Sequence, residues 1–419
     1  MIFACLYYCA CQMTTSTMHL IDWKKTIVVS DGGMGDGSSW GNATSDLQTA
    51  ITGAPSQGKT HVLIVEGTYT LSGSIDHFEL RNGVTVMGGF AGDERYLDPQ
   101  GGETILSGGG SNYHVFYHPD GLNLDRTAIL QNVTITGGRA TGSNPHDRGA
   151  GMYNDNNSPT LIDCIFIDNQ ASGDGGGMCN LYNSNPRLIN CTFEDNTSGA
   201  TGGGVYNGTI ETSPYIPSNP IFENCNFINN IAGRGGGMSN WINGENVTLI
   251  NCSFVKNEAT DTAVDVARGG GGIYNGGSSP TLISCKFLEN TSARYGAGMY
   301  NLSRTTSVVI RSYSKLTNCI FIDNRANLDG GGICNYDSDP QIRSCTFTGN
   351  TAAQNGGGIC NNDYGTSGSF VTFYGTTRFS SNEALTGFGG AIYSATNSSI
   401  SGATPVYGAG NSPENIYPP

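Results

Sequence analysis

Gly175-Gly176-Gly177-Met178-Cys179-Asn180 is followed eleven residues on by Cys191-Thr192-Phe193-Glu194-Asp195-Asn196, and the two halves form a unit that recurs along the chain. The first half, Gly-Gly-Gly-(Met/Ile/Val)-X-Asn, stands at 149–154, 175–180, 202–207, 235–240, 270–275, 296–301, 330–335 and 356–361, with Ala150 and Ala297 in the second position. The second half, Cys-X-Phe-X-X-Asn, stands at 164–169, 191–196, 225–230, 252–257, 285–290, 319–324 and 345–350. A fixed period of this kind marks a solenoid, in which each repeat buries its apolar face only against its neighbours.

The spacing breaks each repeat into strands and loops. Successive Asn residues of the first motif lie 26, 27, 33, 35, 26, 34 and 26 residues apart, so 26 is the bare coil and larger values carry insertions. The insertions fall at 208–219, 258–268 and 302–315. Within Cys-X-Phe the outer residues are fixed and the middle one varies, as expected of a strand with Cys and Phe inside. Three residues before each Cys is another apolar residue: Leu161, Leu188, Phe222, Leu249, Leu282, Leu316 and Ile342. That separation breaks the alternation and demands a one-residue corner at Asp163, Asn190, Asn224, Asn251, Ser284, Asn318 and Ser344, mostly types that tolerate the left-handed conformation. The Met, Ile or Val of the Gly motif supplies a third internal strand. Each coil is therefore all-β with three short parallel strands, and the recurrent Asn residues are expected to stack as amide ladders about 4.8 Å apart.

Paired Gly-Gly-Ala-(Ile/Leu/Val) and Phe-X-X-Asn motifs of this density resemble the repeats of polymorphic outer membrane proteins, right-handed parallel β-helices of the pectate-lyase-like superfamily. Gly389-Gly390-Ala391-Ile392 reproduces the first form, and Phe166–Asn169 through Phe379–Asn382 reproduce the second. The likeness covers roughly 130–394 and implies a right-handed β-helix. The membrane barrel that follows the repeats in those proteins has no counterpart here after residue 394, which puts self-anchoring in doubt.

The remaining segments divide as follows. Residues 1–20 read as a degenerate or truncated export signal, and 21–61 as an N-terminal cap. Its short helix carries Leu47, Ala50 and Ile51 on the covering face, capped by Thr44 or Ser45, with Trp40 packed in the cap. Residues 62–129 are irregular first coils, with Val62–Tyr69 the first complete strand and Leu80–Val86 a loose copy of the corner pattern. The regular repeats run over 130–394, with Val133 and Ile135 in the first Cys and Phe slots. Residues 395–419, with Pro405, Pro413, Pro418 and Pro419, form a tail or cap.

Charge and cysteine usage narrow the function. Twenty basic against 34 acidic residues give a net charge of −14 with no basic stripe, which argues against nucleic acid. No stretch is long enough to span a membrane. Seven of thirteen cysteines occupy one internal slot, where a thiol serves as a small hydrophobe in a stacked ladder.

Few residues look chemical. The acids Asp168, Asp195, Glu289 and Asp323 recur near one corner, interrupted by Asn229, Lys256 and Gly349, and read as solvated surface rather than a calcium site. His146-Asp147-Arg148 is the densest ionisable cluster and reads as an exposed loop. The residue after each internal Met or Ile forms an outward column containing Tyr153, Tyr206, Tyr274, Tyr300 and Tyr393, a face suited to stacking sugars or contacting protein. Cys334 and Cys360 on that column are expected one coil apart, as a bridge or an exposed thiol pair. Sequons such as Asn132-Val133-Thr134 and Asn246-Val247-Thr248 matter only in a glycosylating host. The expectation is a non-catalytic secreted or cell-surface β-helix that displays loops for adhesion or assembly, binding carbohydrate or protein without a cofactor. The alternative is a polysaccharide lyase or glycoside hydrolase of the same superfamily, which the resemblance implies.

Overall fold

The computed structural model describes residues 19–71, 76–111, 113–209, 216–242, 247–263, 268–305, 309–363, 368–412 and 416–417. The export-signal reading lies outside these residues except for positions 19 and 20. So do parts of all three insertions, Asn246 of the second sequon, and Pro413, Pro418 and Pro419.

The chain is an all-β parallel solenoid of about eleven turns. One coil shows how the sequence makes it. Thr160–Ile162 enters a 13-stranded sheet, and Asp163 at φ 51° turns the corner. Ile165–Ile167 then joins a 12-stranded sheet, and Met178–Leu181 joins an 11-stranded sheet. The corner residues expected to be left-handed are so throughout, from Asn132 to Ser344 at φ between 51° and 56°.

A fourth strand of two residues follows each second-motif Asn, as in Gln170–Ala171, and builds a nine-stranded sheet. It begins after a second left-handed corner at Asp168, Asp195, Asn229, Lys256, Glu289, Asp323, Gly349 and Ser381. The acids at these corners are exposed, as expected of solvated surface. Their recurrence reflects the corner, where Asp, Asn and Gly bear a positive φ most readily. The fourth strand also had a sequence signal: a small residue, Ala171, Ser198, Ala232, Ala259, Ser292, Ala326, Ala352 or Ala384, two positions after each Asn and buried.

The core is built of columns, one residue per coil. Phe166, Phe193, Phe227, Phe254, Phe287, Phe321, Phe347 and Phe379 stack with centroids 4.5–5.2 Å apart and planes within 11°. Beside them runs the thiol ladder, buried and free of disulfides. Its thiols offer their weak donor to backbone carbonyls of the preceding coil or of the residue two positions before, for instance Cys252 Sγ to Phe222 O and Ile250 O, both at 3.5 Å. Two amide ladders complete the interior. Asn154 donates to Asn180, Asn180 to Asn207, and so on to Asn361, each Nδ2 reaching the next Oδ1 at 2.8–2.9 Å. The second ladder runs from Asn169 to Asn411, and its members also donate to the carbonyl of the Phe-slot residue in the coil before, Ile135 for Asn169 and a Phe for the others. Buried amides are tolerated because each nitrogen and oxygen of the ladders has a hydrogen-bond partner.

Two glycines of the motif are dictated by geometry. Gly175, the first, sits at φ 68°. A Cβ on Gly177, the third, would lie 2.6 Å from Gly204 O and 2.8 Å from the Phe193 ring, so neighbouring coils approach too closely for any side chain there.

The ends differ from expectation in detail. The cap helix α1, Leu47–Gly53, covers the first coil with Leu47, Ala50 and Ile51, but Asp46 is its N-cap, accepting from Thr49 N. Only from Asp46 does a side chain reach the third amide of that turn. Thr26–Val29 is already a strand of the 13-stranded sheet, and Val62–Tyr69 is two strands, His61–Val65 and Gly67–Thr70. Val86 pairs with Leu130, so it fills the Leu slot, not the Phe slot. Val133 turns inward beside Ile135, which pairs with Phe166 as expected. Trp40 packs in the cap on Trp23 and Phe90. After residue 394, Ser399–Gly402, Val406–Tyr407 and Ile416–Tyr417 pair onto the previous coil, so the solenoid continues where the motif has faded.

Candidate ligand-binding face

The outer face of the 11-stranded sheet gathers the residues that the scaffold does not use. In each coil the Met or Ile points in, the next residue out, Asn in, and the following residue out. The first outward column is the expected one, in register from Tyr153 and Cys179 to Cys360 and Tyr393. It is not an open tyrosine surface, however. Tyr153, Tyr206, Tyr274 and Tyr300 are buried and Tyr393 is half-buried. Cys334 and Cys360 lie side by side as expected, but both are buried free thiols, pushed up by burial and covered together with Tyr295, Tyr300 and Tyr336.

Two flanking columns do the covering. One is the residue after the ladder Asn, including Asp155, Leu181, Trp241, Leu302 and Tyr336. The other is the residue before the first Gly: Arg148, Asp174, Thr201, Arg234, Gly269, Tyr295, Asp329, Asn355 and Phe388. Its carbonyls from Asp174 on accept from the Gly amide of the preceding coil at 2.9–3.1 Å, which fixes one such residue at every turn. The signal for this column in the sequence is the recurrence of ionisable residues at one repeat offset.

Between these columns, Arg148, Asp174, Thr201, Arg234, Tyr206 and Trp241 line a cleft of about 300 Å³. Arg148 is shared between Asp147 at 3.0 Å and Asp174 at 3.5 Å. Asp174 also accepts from Thr201 Oγ1 at 2.8 Å, and burial pushes its carboxyl up against these partners. The guanidinium of Arg234 lies 5.9 Å over the Trp241 ring.

At the N-terminal end of the face, His146-Asp147-Arg148 is not the exposed loop expected, because all three side chains are half-buried against neighbouring coils. His146 Nδ1 bonds His114 Nε2 at 2.9 Å, and His114 Nδ1 bonds Gly149 O at 3.0 Å. Since a carbonyl only accepts, His114 is protonated on Nδ1 and takes the proton of His146 on Nε2. Burial brings His114 down to about 4. His146 stacks on Tyr113 at 5.1 Å and His114 on Tyr117 at 4.7 Å. Towards the other end, Asp329 is buried and accepts from Asn355 N, Asn355 Nδ2 and Asn362 Nδ2. Among the described residues no three His, Cys, Asp or Glu side chains converge as a metal ion would need.

Residues 217–384 match the family model described as a right handed beta helix region, and 376–395 match the Chlamydia polymorphic membrane protein repeat. The solenoid thus contains a right-handed β-helix region with a polymorphic membrane protein repeat near its C-terminal end. No curated protein matches it. Among solved structures this β-helix is similar to a pectate lyase at 14% identity, over 90% of this chain and 79% of that one, with a TM-score of 0.45. It is also similar to PfbA, a surface adhesin of Streptococcus pneumoniae, at 11% identity over 91% and 90%, with a TM-score of 0.46. The catalytic domain of an alpha-1,3-glucanase follows at 10% identity over 94% and 69%, with a TM-score of 0.35. No helix among the described residues of the β-helix is long and apolar enough to cross a membrane.

Proposed function

We propose that this chain is a non-catalytic, surface-exposed or secreted β-helix that binds carbohydrate through the cleft on its 11-stranded sheet, with the flanking loops framing the site. The observation that carries the reading is the lining of that cleft. Half-buried Trp241, packed over buried Tyr206, offers an aromatic edge at the rim, while Thr201, Asp174 and the arginines offer donors and acceptors, the combination that sugar rings and their hydroxyls require. The reacting groups of a hydrolase or lyase are otherwise committed, since Asp147 and Asp174 neutralise Arg148, and Asp329 is spent on asparagine amides. Titration with oligosaccharides, followed by tryptophan fluorescence, tests it. Trp241→Ala is expected to weaken binding at least tenfold without changing the unfolding temperature by more than a few degrees; unchanged affinity would refute the site.

One observation favours a carbohydrate-active enzyme instead. Asp174 carries a carboxyl raised by burial, as a general acid does. An activity screen on acidic polysaccharides, with and without calcium, separates the two readings. Turnover that disappears in Asp174→Asn would replace binding by catalysis.

A further inference from the structure

Arg234 stands apart from the other arginines of this face. Arg148 is held by Asp147 and Asp174, Arg268 by Asp261, and Arg311 by Asp339. Arg294 spends its guanidinium on Thr262 O and Tyr295 Oη. Arg234 makes no salt bridge with a carboxylate among the described residues, although Asp174 across the cleft feels its charge, and its guanidinium lies over the ring of Trp241. It is half-buried at the edge of the cleft, where the solenoid fixes it between Thr201 and Gly269. A partly desolvated guanidinium with no carboxylate in salt-bridge contact, fixed beside an aromatic ring, is a preorganised fork for an oxyanion. The same ring supplies a stacking surface for the body of a ligand that carries the anion.

The molecule as a whole limits what that ligand is. A net charge of −14 repels a polyanion along its length, while a single contact at close range is little affected by charges more than a Debye length of about 8 Å away. Resting on the carbohydrate reading above, we infer that the cleft selects a sparsely charged glycan bearing one isolated acidic sugar. Its carboxylate or sulfate pairs with Arg234, and its ring lies against Trp241. The neighbouring hydroxyls reach Thr201 and Asp174. Polyuronates and other dense polyanions are poor ligands.

Calorimetric titration of the full chain with four probes tests this. The probes are a neutral oligosaccharide, the same oligosaccharide ending in one uronic acid, its counterpart with one sulfate, and a polyuronate. The acid-terminated or the sulfated probe is expected to bind at least tenfold more tightly than the neutral one, and the comparison of the two says which oxyanion is preferred. That preference should vanish in Arg234→Gln and persist in Arg187→Gln, whose guanidinium pairs with Glu223 on the 13-stranded sheet. Thermal unfolding of both variants checks that the coils remain intact. Equal affinity for neutral and acidic probes, or an unchanged preference in Arg234→Gln, overturns the inference and leaves the carbohydrate reading standing. Tighter binding of polyuronate than of the singly charged probes also overturns it. No binding of any probe at millimolar concentration removes the carbohydrate reading and the inference together.

Discussion

His118 holds the place on the first amide ladder that asparagine holds in every coil from Asn154 to Asn361. It pairs in register with Asn154 and donates from Nδ1 to Asn154 Oδ1 at 2.7 Å. Its Nε2 accepts from Leu80 N at 3.2 Å, so both ring nitrogens are used only when the imidazole is neutral. Burial accordingly brings His118 down to about 4. An unfolded histidine takes a proton near pH 6.5, so between that pH and about 4 the unfolded state binds the extra proton and folding stability falls as pH falls. A separation of that size corresponds to roughly 3 kcal/mol. Urea unfolding of the wild type is therefore expected to weaken across pH 6.5 to 4. His118→Asn, which continues the ladder but leaves Leu80 N without its acceptor, should start lower and fall less steeply. Parallel pH dependence in the two proteins would contradict the assignment. His114, also brought down to about 4 by burial, supplies the residual slope in the variant.

At the scale of the strand and corner, the repeat was legible where one side chain decides one conformation. Asp163, Asn190 and their equivalents announced the first corner because few residue types accept a positive φ. The second corner was hidden because Lys256 and Glu289 occupy it as readily as Asp168, at φ 56° and 54°. There the stacked coils impose a conformation that local preference would not choose. The Cys-X-Phe cysteines form the internal ladder that their spacing predicts, whereas Cys334 and Cys360, expected as a bridge or an exposed thiol pair, are neither. Strand alternation says only that they leave the Phe-filled interior; Tyr295, Tyr300, Leu302, Leu328 and Tyr336 build a second small core over them. All ten described cysteines are buried, and burial pushes Cys179, Cys334 and Cys360 up, away from the reactive thiolate. Native alkylation followed by peptide mass spectrometry is expected to leave every one of the ten unlabelled, with full labelling in denaturant. Rapid native labelling of Cys334 or Cys360 would show the cover to be open.

For the whole molecule, a solenoid's stability is a sum over coils and their interfaces, so it tolerates the loss of a whole period and insertions in the loops, but not the loss of part of a coil's strands. Gln170 pairs with Thr197 and Asn169 with Asn196. Deleting residues 170–196 therefore joins equivalent positions and is expected to leave a folded β-helix one coil shorter, with an unaltered β-type circular dichroism spectrum and a modestly lower urea midpoint. Deleting 170–182, half a coil, should abolish cooperative unfolding. The cleft would be lost in both, since Asp174 is removed.

The sequence by itself determined the period, the parallel stacking, the inward columns of Leu, Cys, Phe and Met or Ile, and the asparagine ladders. Each follows from a residue type repeated at one offset, and repetition turns a weak local preference into a strong one. Only the tertiary structure decided what lies outside those columns. Arg148, Asp174, Thr201 and Arg234 are 26, 27 and 33 residues apart in the chain, and they meet because consecutive coils stack about 4.8 Å apart. Their partners Tyr206 and Trp241 come from a different repeat position again. Whether an outward residue ends as open surface, as a second core or as the wall of a cleft depends on what its neighbours in adjacent coils place over it, and a period read along the chain carries no record of that.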